Sequence, residues 1–530
     1  MMHPGWLQTQ GEALALDLTK PLHLTLAIAP DLVLVAGAMM LLLYAAWSPE
    51  SAQHSRRVAL GSMVVALLTL VAVLGFGAAG FVAGPGPVAV DGFRWTSDVI
   101  FLLATIIVIG LSMEYNAREG IVTPEAHVLV LFATVGMMLM AAARDLMVLF
   151  LGIETMSIAV YVLVGLNRRQ ARSAEGALKY FLLGAFSTAF LLYGIALVYG
   201  ATGATNLSVI GGRIAALALG DSPMLLVGVA LLLVGFGFKL AAAPFHMWAP
   251  DVYEGAPTPI TAYMAAGVKA AAFAAFLRVW IEAFGHIYTA WHDALWWLAA
   301  ATMVVGNLVA LQQRNIKRML AYSSIGHTGF LLVAVTAATP QATSAFLFYL
   351  LAYTLATMGA FAIIIGLGST ESPRERIEDF HGLWFERPGL AIAMTVFMLA
   401  MLGFPVFGGM GFFAKWYVLQ AAIDAPAPQV RLAVLLVLAT TISAGYYLYV
   451  VMVMFMKPRP EGAPALPSVS PLSRAVIVGS AALLLVFGLF PDPVVRWARA
   501  GTGVMPGMPS AAAIPSPAVT GSPAPTGTSR

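Results

Sequence analysis

The sequence predicts an all-α polytopic membrane protein with about fourteen transmembrane helices, and two observations carry that prediction. Of the 530 residues, 60% are hydrophobic and 10% charged, against about 25% charged in a soluble chain. So few charges cannot cover a water-facing surface, and the solvent must be lipid. Apolar runs of roughly 18–25 residues also recur throughout, the length a helix needs to cross about 30 Å of hydrocarbon. They centre near residues 37, 68, 104, 131, 155, 189, 234, 269, 303, 329, 356, 403, 441 and 482. Barrel strands would be short and alternating, whereas runs such as Leu225–Leu240 are continuous.

The first long run, Leu26–Trp47, reads as a retained helix, because residues 1–27 lack the basic start, short apolar core and small-residue site of a cleaved signal. Net charge is +3, from 28 Lys+Arg and 25 Asp+Glu, which gives nucleic-acid binding no support. There is no cysteine, which excludes disulfides, thiolate zinc and cysteine-ligated iron–sulfur clusters. No Gly-x-Gly-x-x-Gly opens a βαβ unit, and no histidine pair lies at i,i+4 beside a carboxylate. The expected metal and cofactor sets are therefore empty.

Arginine and lysine set the orientation. Connections after odd-numbered segments hold Arg56 and Arg57, then Arg168, Arg169 and Arg172, then Arg314, Lys317 and Arg318. Arg374, Arg376 and Arg387 follow, then Lys457, Arg459 and Arg474, whereas Arg94, Arg144, Arg213 and Arg431 are scattered singly on the other side. Odd connections are then cytoplasmic and both termini lie outside. The aromatic WHDALWW at 291–297 reads as an interface belt.

Two stretches break the helical pattern. Leu240–Pro259 contains Pro244, Pro250, Pro257 and Pro259; Leu402–Lys415 contains Pro405 with Gly403, Gly408, Gly409 and Gly411. Proline removes a donor and glycine loosens the backbone, so both should interrupt helices. Paired interruptions in two halves of a transporter point to a site between inverted repeats; functionless kinks are the alternative. The implied organisation is an outer segment 1–25, four helices over 26–141, a first half 142–285, a second half 286–456, a last helix 457–497 and a Pro/Ala/Gly-rich disordered tail 498–530.

Four charges fall where lipid should be, and such residues are functional candidates by default. Glu154 lies about ten residues beyond Arg144, hence roughly 15 Å deep. Lys239 precedes the first break, Lys269 sits mid-segment, and Lys415 follows the second break. A proton relay needs groups that gain and lose charge. Low-dielectric surroundings disfavour an ammonium and a nearby carboxylate restores it, so moving that carboxylate switches the lysine. Arginine stays protonated, and the three deeply placed cations in this reading are all lysines. Glu154 and Lys239 form the expected pair; static ion pairing is the alternative. His327, beside Tyr322, Ser323 and Ser324, is a shuttle-capable group or an interhelical hydrogen-bond partner. His246, Asp251 and Glu254 lie near the inner interface, where Lys179 should snorkel.

At these residues the chain resembles the N subunits of bacterial NADH:quinone oxidoreductase (respiratory complex I). The resemblance is carried by the stretch from LFLGIETMSIAVYVLVGLNRRQ onward, by GFKLAAAPFHMWAPDVYEGAPTPITAYMAAGVKAAAF and by NIKRMLAYSSIGHTGF. It covers roughly residues 25–490. PDVYEGAPTPITA is the N-type form, whereas sister antiporter-like subunits carry a PDAHxxAPT form, and the chain stops after its fourteenth helix without the long lateral helix of L subunits. The resemblance implies two inverted five-helix repeats with discontinuous seventh and twelfth helices. It matches Glu154, Lys239, Lys269, His327 and Lys415 to a polar axis for protons. It also implies that NADH, FMN, iron–sulfur clusters and quinone are handled by other subunits, and that the partners are neighbouring antiporter-like and small membrane subunits, the lipid bilayer and protons. One departure is GFPVFGGMGFFAKWY where relatives have GIPPTAGFFGKFY, so the second break should lean on glycine.

The expected function is a proton-translocating subunit of this translocase in a bacterial cytoplasmic (inner) membrane, with no redox chemistry in the chain itself. The rival is an Mrp-type or stand-alone cation/proton antiporter. A scaffold that translocates nothing is the third class, and the recurrence of buried ionisable groups speaks against it.

Overall fold

The computed structural model describes residues 15–502 except 48, 50, 85, 370–373, 463 and 464. Among these, thirteen helices are long and apolar enough to cross a membrane. In order they are Ala29–Trp47, Ala52–Ala79, Gly92–Arg118, Glu125–Ala142, Leu146–Val164, Ala171–Thr202, Pro223–Leu240, Thr258–Glu282, Gly285–Ala310, Ile316–Ala337 and Pro340–Leu367, then Val430–Met456 and Pro471–Leu489. One more span, the twelfth, is split into Pro388–Leu402 and Met410–Ile423. Each of the fourteen expected segments meets a span, and the position expected for the twelfth, residue 403, falls in its gap.

The spans begin where the chain offers a cap. Ser51, Asp91, Asp145, Asn315, Thr339 and Ser470 each accept a hydrogen bond from a first-turn amide of the span that follows, satisfying donors that lipid cannot. Proline occupies the first turn of the seventh, eleventh and fourteenth spans, where its missing N–H costs nothing. The only strand pairing among the described residues is two residues long, Ala15–Leu16 beside Val82–Ala83.

Burial orders the bundle. The apolar window of the eighth span is wholly buried and those of the tenth and eleventh are 94% buried, whereas the fourteenth is 22% buried. The eighth, tenth and eleventh spans therefore form the core, and the first, second, sixth, thirteenth and fourteenth present apolar faces outward. Small residues bring helices together: a Cβ on Gly136 of the fourth span would lie 2.4 Å from the Met156 amide nitrogen of the fifth. Close backbone approach of this kind is how helices associate in lipid.

Both expected breaks are present. The seventh span stops at Leu240, where Ala241 takes a left-handed conformation (φ 55°), and a short helix Ala249–Gly255 follows. In the twelfth, Gly403 (φ 76°) and Gly409 (φ 52°) bracket the gap and Val406 (φ 65°) lies within it, so glycine supplies two of the three positive-φ positions there. The breaks lie five spans apart. Because five is odd, the two broken helices run in opposite directions, as an inverted repeat requires.

The last described segment corrects a boundary. Asp492–Ala500 is helical, so regular structure continues past 498, where the disordered tail was expected to begin. The rest of that tail, from residue 503, lies outside the described residues, as do residues 1–14 of the N-terminal segment.

Candidate functional site

Lys239, Lys269, His327 and Lys415 are all buried, and Glu154 is half-buried. They come from the seventh, eighth, tenth, twelfth and fifth spans, and the two helix breaks decide how they connect. Lys239 is the penultimate residue of its half-helix, at the C-terminal end whose partial negative charge favours a cation.

Lys239 does not reach Glu154. Its ammonium donates to Ser157 Oγ at 2.7 Å and to Tyr161 OH at 3.5 Å, and lies 5.7 Å from the centre of the Tyr161 ring. Glu154 instead accepts from Thr188 Oγ1 of the sixth span at 2.9 Å. The expected direct pair is thus a pair at one remove: Ser157 stands one helical turn beyond Glu154 on the same face.

Lys269 begins the helical stretch that follows a π-helical turn at Met264–Val268, a distortion found mainly at functional sites. Its ammonium donates to the Ser324 carbonyl at 2.8 Å, to Ser324 Oγ, and to Thr328 Oγ1 at 3.1 Å. Thr328 in turn donates to the Leu240 carbonyl at 2.9 Å. The end of the broken seventh helix is therefore tied to Lys269 through one hydroxyl. Ser324, which stands beside His327 in sequence, serves Lys269.

The second break repeats the device. Lys415 Nζ donates to the carbonyl of Leu402, the last residue of the first half-helix, at 2.9 Å, and to Thr440 Oγ1 at 3.3 Å. It also lies 4.5 Å from the centre of the Phe330 ring. At each break a side chain caps the last carbonyl of the first half-helix: Lys415 directly at Leu402, and Thr328, itself bonded to Lys269, at Leu240.

His327 sits within the second half, between the tyrosines of the eleventh and thirteenth spans. Nδ1 lies 2.6 Å from Tyr349 OH and Nε2 3.0 Å from Tyr447 OH, whose hydroxyl also meets Ser323 Oγ. Between His327 and Lys415 is a cavity of about 10 Å³, lined by both residues with Tyr349, Tyr353 and Gly411. That is room for about one water molecule.

Toward the face assigned as inner, Lys179 donates to Asp251 at 2.9 Å and pairs with Glu175 at 2.6 Å, so it is bridged where snorkelling was expected. Arg318 binds both Asp251 (2.7 Å) and Glu254 (3.0 Å). Lys317, read from the sequence as a loop cation, is buried and donates to the carbonyls of Glu254 and Ala256. No group of three or more His, Cys, Asp or Glu among the described residues could hold a metal ion.

Sequence reasoning missed Ser157, Tyr161, Thr188, Thr328, Tyr349 and Tyr447 as partners of the charged line. Spacing gave a signal for two of them, since Ser157 follows Glu154 by three residues and Thr328 follows Ser324 by four. A second correction concerns the cations. Arg94 and Arg278 are also fully buried, so the deeply placed cations are not all lysines.

Comparison with known proteins agrees with this architecture. The family described as NADH:quinone oxidoreductase/Mrp antiporter, TM matches residues 143–459. The chain is 54% identical to an NADH-quinone oxidoreductase subunit N of Gemmatimonas aurantiaca, over 90% of this chain and 93% of that one. It is 45% identical to the corresponding subunit of Trichlorobacter lovleyi, over 89% and 96%. Among solved structures it is similar to a chain of respiratory complex I from Thermus thermophilus with bound aureothin. That match has 37% identity and a TM-score of 0.75, and covers 89% of this chain and 100% of the other. A chain of the Mrp complex from Dietzia shares the fold, with a TM-score of 0.78 at 20% identity over 90% and 97%. Over nearly its whole described length, the chain belongs to the NADH-quinone oxidoreductase subunit N family.

Proposed function

We propose that this chain is a proton-translocating membrane subunit of an NADH:quinone oxidoreductase, with Glu154, Lys239, Lys269, His327 and Lys415 as its relay. The observation that carries the reading is the hydrogen-bonded link Lys269–Thr328–Leu240. It couples the protonation state of a core lysine to the end of a broken helix that carries a second lysine. Electron transfer elsewhere in the complex shifts charge near the half-buried Glu154; Lys239 answers through Ser157, Lys269 and His327 pass the proton on along the axis, and Lys415 releases it. Lysine suits these positions because it alone among the cations present can give up a proton there.

NADH, FMN, iron–sulfur clusters and quinone belong in this reading to other subunits. The isolated chain should neither oxidise NADH nor reduce quinone, and electron transfer by the chain alone would refute that assignment. The outward apolar faces of the sixth and thirteenth spans suit neighbouring membrane subunits and lipid. The Arg/Lys bias places odd connections in the cytoplasm and both termini outside a bacterial inner membrane.

The test is NADH-driven proton uptake by inverted membrane vesicles bearing Lys269→Met in the assembled complex. Loss of uptake with the complex intact is expected; wild-type uptake would remove Lys269 from the relay. Proton movement driven by a sodium gradient without NADH would instead favour the antiporter class.

A further inference from the structure

The opposite end of the bundle, the one the Arg/Lys bias assigns to the outer side, holds a second set of buried ions that the relay does not use. Asp31 comes from the first span. Asp91, Arg94 and Asp98 come from the cap and first turns of the third. Arg144 follows the fourth span, and Arg278 and Glu282 end the eighth. Arg278 lies nine residues beyond Lys269, about 13.5 Å of helical rise away, so this cluster is a separate place in the molecule.

Its members form one network. Arg278 forks onto Asp91 at 2.8 and 2.9 Å and donates to Glu282 Oε1 at 2.8 Å. Arg144 closes on Glu282 at 3.4 Å and Asp91 at 3.6 Å. Arg94 pairs closely with Asp31, and its other terminal nitrogen donates to the carbonyls of Ala27 and Ala89 at 2.9 and 2.8 Å. Its backbone N–H donates to Asp91 at 2.9 Å.

Asp98 is the exception. It is fully buried, its nearest cation is Arg94 Nε at 3.5 Å, and neither of its carboxyl oxygens has a hydrogen-bond partner. Four carboxylates face three guanidiniums, so the fully ionised cluster would carry one uncompensated negative charge out of water, a costly state. One added proton makes it neutral. Asp31, Asp91 and Glu282 each hold charge-assisted bonds that protonation would break; Asp98 holds none. For Asp91 the balance is plain. Burial alone would raise it, but Arg278, the Arg94 backbone N–H and Arg144 together outweigh burial and hold its carboxyl at about 2. Asp91 and Arg144 are the partly exposed rim, with side chains 21% and 12% exposed.

We propose that Asp98 is a proton-holding site at the outer end of this subunit, which releases its proton to water at the Asp91–Arg144 rim. On release the O–H bond breaks, the proton passes to water, and Arg94 Nε holds the carboxylate. The holding step stands on the geometry alone; the release step rests on the translocation reading above.

Static infrared spectra of the assembled complex test the holding step, comparing wild type with Asp98→Asn. The expected difference is one carboxylic-acid C=O band that shifts in heavy water and is lost in the variant. The amide mimics the protonated acid, so Asp98→Asn should assemble with unchanged thermal stability, whereas Asp91→Asn should not. The band should persist in Lys239→Met, so that failure of the relay reading leaves this result intact. In vesicles with the outer face toward a pH dye, Asp98→Asn should lose release of protons during NADH oxidation. Absence of the band, or failure of the Asn complex to assemble, would show an ionised structural carboxylate and overturn the proposal. Wild-type proton release by the Asn variant would overturn the release step.

Discussion

Lys239 Nζ sits 2.7 Å from Ser157 Oγ, and the carboxylate expected to pair with it, Glu154, is engaged by Thr188 at 2.9 Å. The lysine is thus held by a neutral acceptor and sees Glu154 as a field, which allows the carboxylate to act as a switch. Ser157→Ala leaves Tyr161 OH, at 3.5 Å, as the nearest hydrogen-bond acceptor. A hydrogen bond to a charged group is worth about 1.5–3 kcal/mol, so NADH-driven proton uptake should fall roughly tenfold or more. Tyr161→Phe should do less. Uptake unchanged in Ser157→Ala would mean that Ser157 does not hold the charged lysine.

Thr328 and Ser324 both serve Lys269, but their losses are unequal. Ser324→Ala keeps the Ser324 carbonyl as an acceptor at 2.8 Å. Thr328→Val keeps the shape and removes the side chain that, among the described residues, donates to the Leu240 carbonyl, leaving a buried acceptor short of a partner at about 1–3 kcal/mol. Thr328→Val should therefore lower both the thermal stability of the complex and its proton uptake more than Ser324→Ala does. Equal effects would argue that Thr328 carries no coupling.

Orientation can be read with one cysteine in an otherwise cysteine-free chain. Asn167 is buried, but Gln170, in the same connection, is exposed. Gln170→Cys should react with an impermeant thiol reagent only from the inner face. Labelling from the outer face of intact cells would invert the topology and, with it, the side assigned to Asp98.

Asp91 gives a pH dependence with a definite sign. Its carboxyl is held at about 2 against an ordinary 3.8, chiefly by Arg278 working against burial. A lowered carboxylate stabilises the fold above its unfolded value and loses that contribution as pH falls through the folded one. The share is about 2 kcal/mol at neutral pH. Asp91→Asn should thus melt earlier than wild type at pH 7, and the gap should narrow as pH drops from about 4 toward about 2. A gap independent of pH would remove the charge of Asp91 from the account.

Hydropathy made the spans legible because each one must be apolar over its whole length, and proline and glycine made both breaks legible because they act on the backbone locally. The charged line was legible residue by residue, since Glu154, Lys239, Lys269 and Lys415 each lie deep within an apolar run. What the sequence could not show was distance. Whether Lys239 meets Glu154 or Ser157 depends on how the fifth and seventh spans pack, and Ser and Thr are too common in helices to mark themselves as lysine partners. The cluster around Arg94 and Arg278 was hidden for a related reason. Arg94, Asp98, Arg278 and Glu282 stand near span ends, where a single charge reads as interfacial. Only the packing of the first, third and eighth spans turns them into one buried network.

If Lys239 acts by giving up and regaining a proton, Lys239→Arg separates that role from a static charge. Arginine keeps the positive charge and can reach Ser157, but it does not release its proton near neutral pH. Methionine is apolar and of similar length, and serves as the control that removes the charge altogether. Proton uptake and NADH:quinone turnover are measured together in inverted vesicles, normalised to assembled complex. Both variants are expected to assemble, and neither to pump. Full pumping by the Lys239→Arg complex would contradict the relay role and leave Lys239 as a static buried charge.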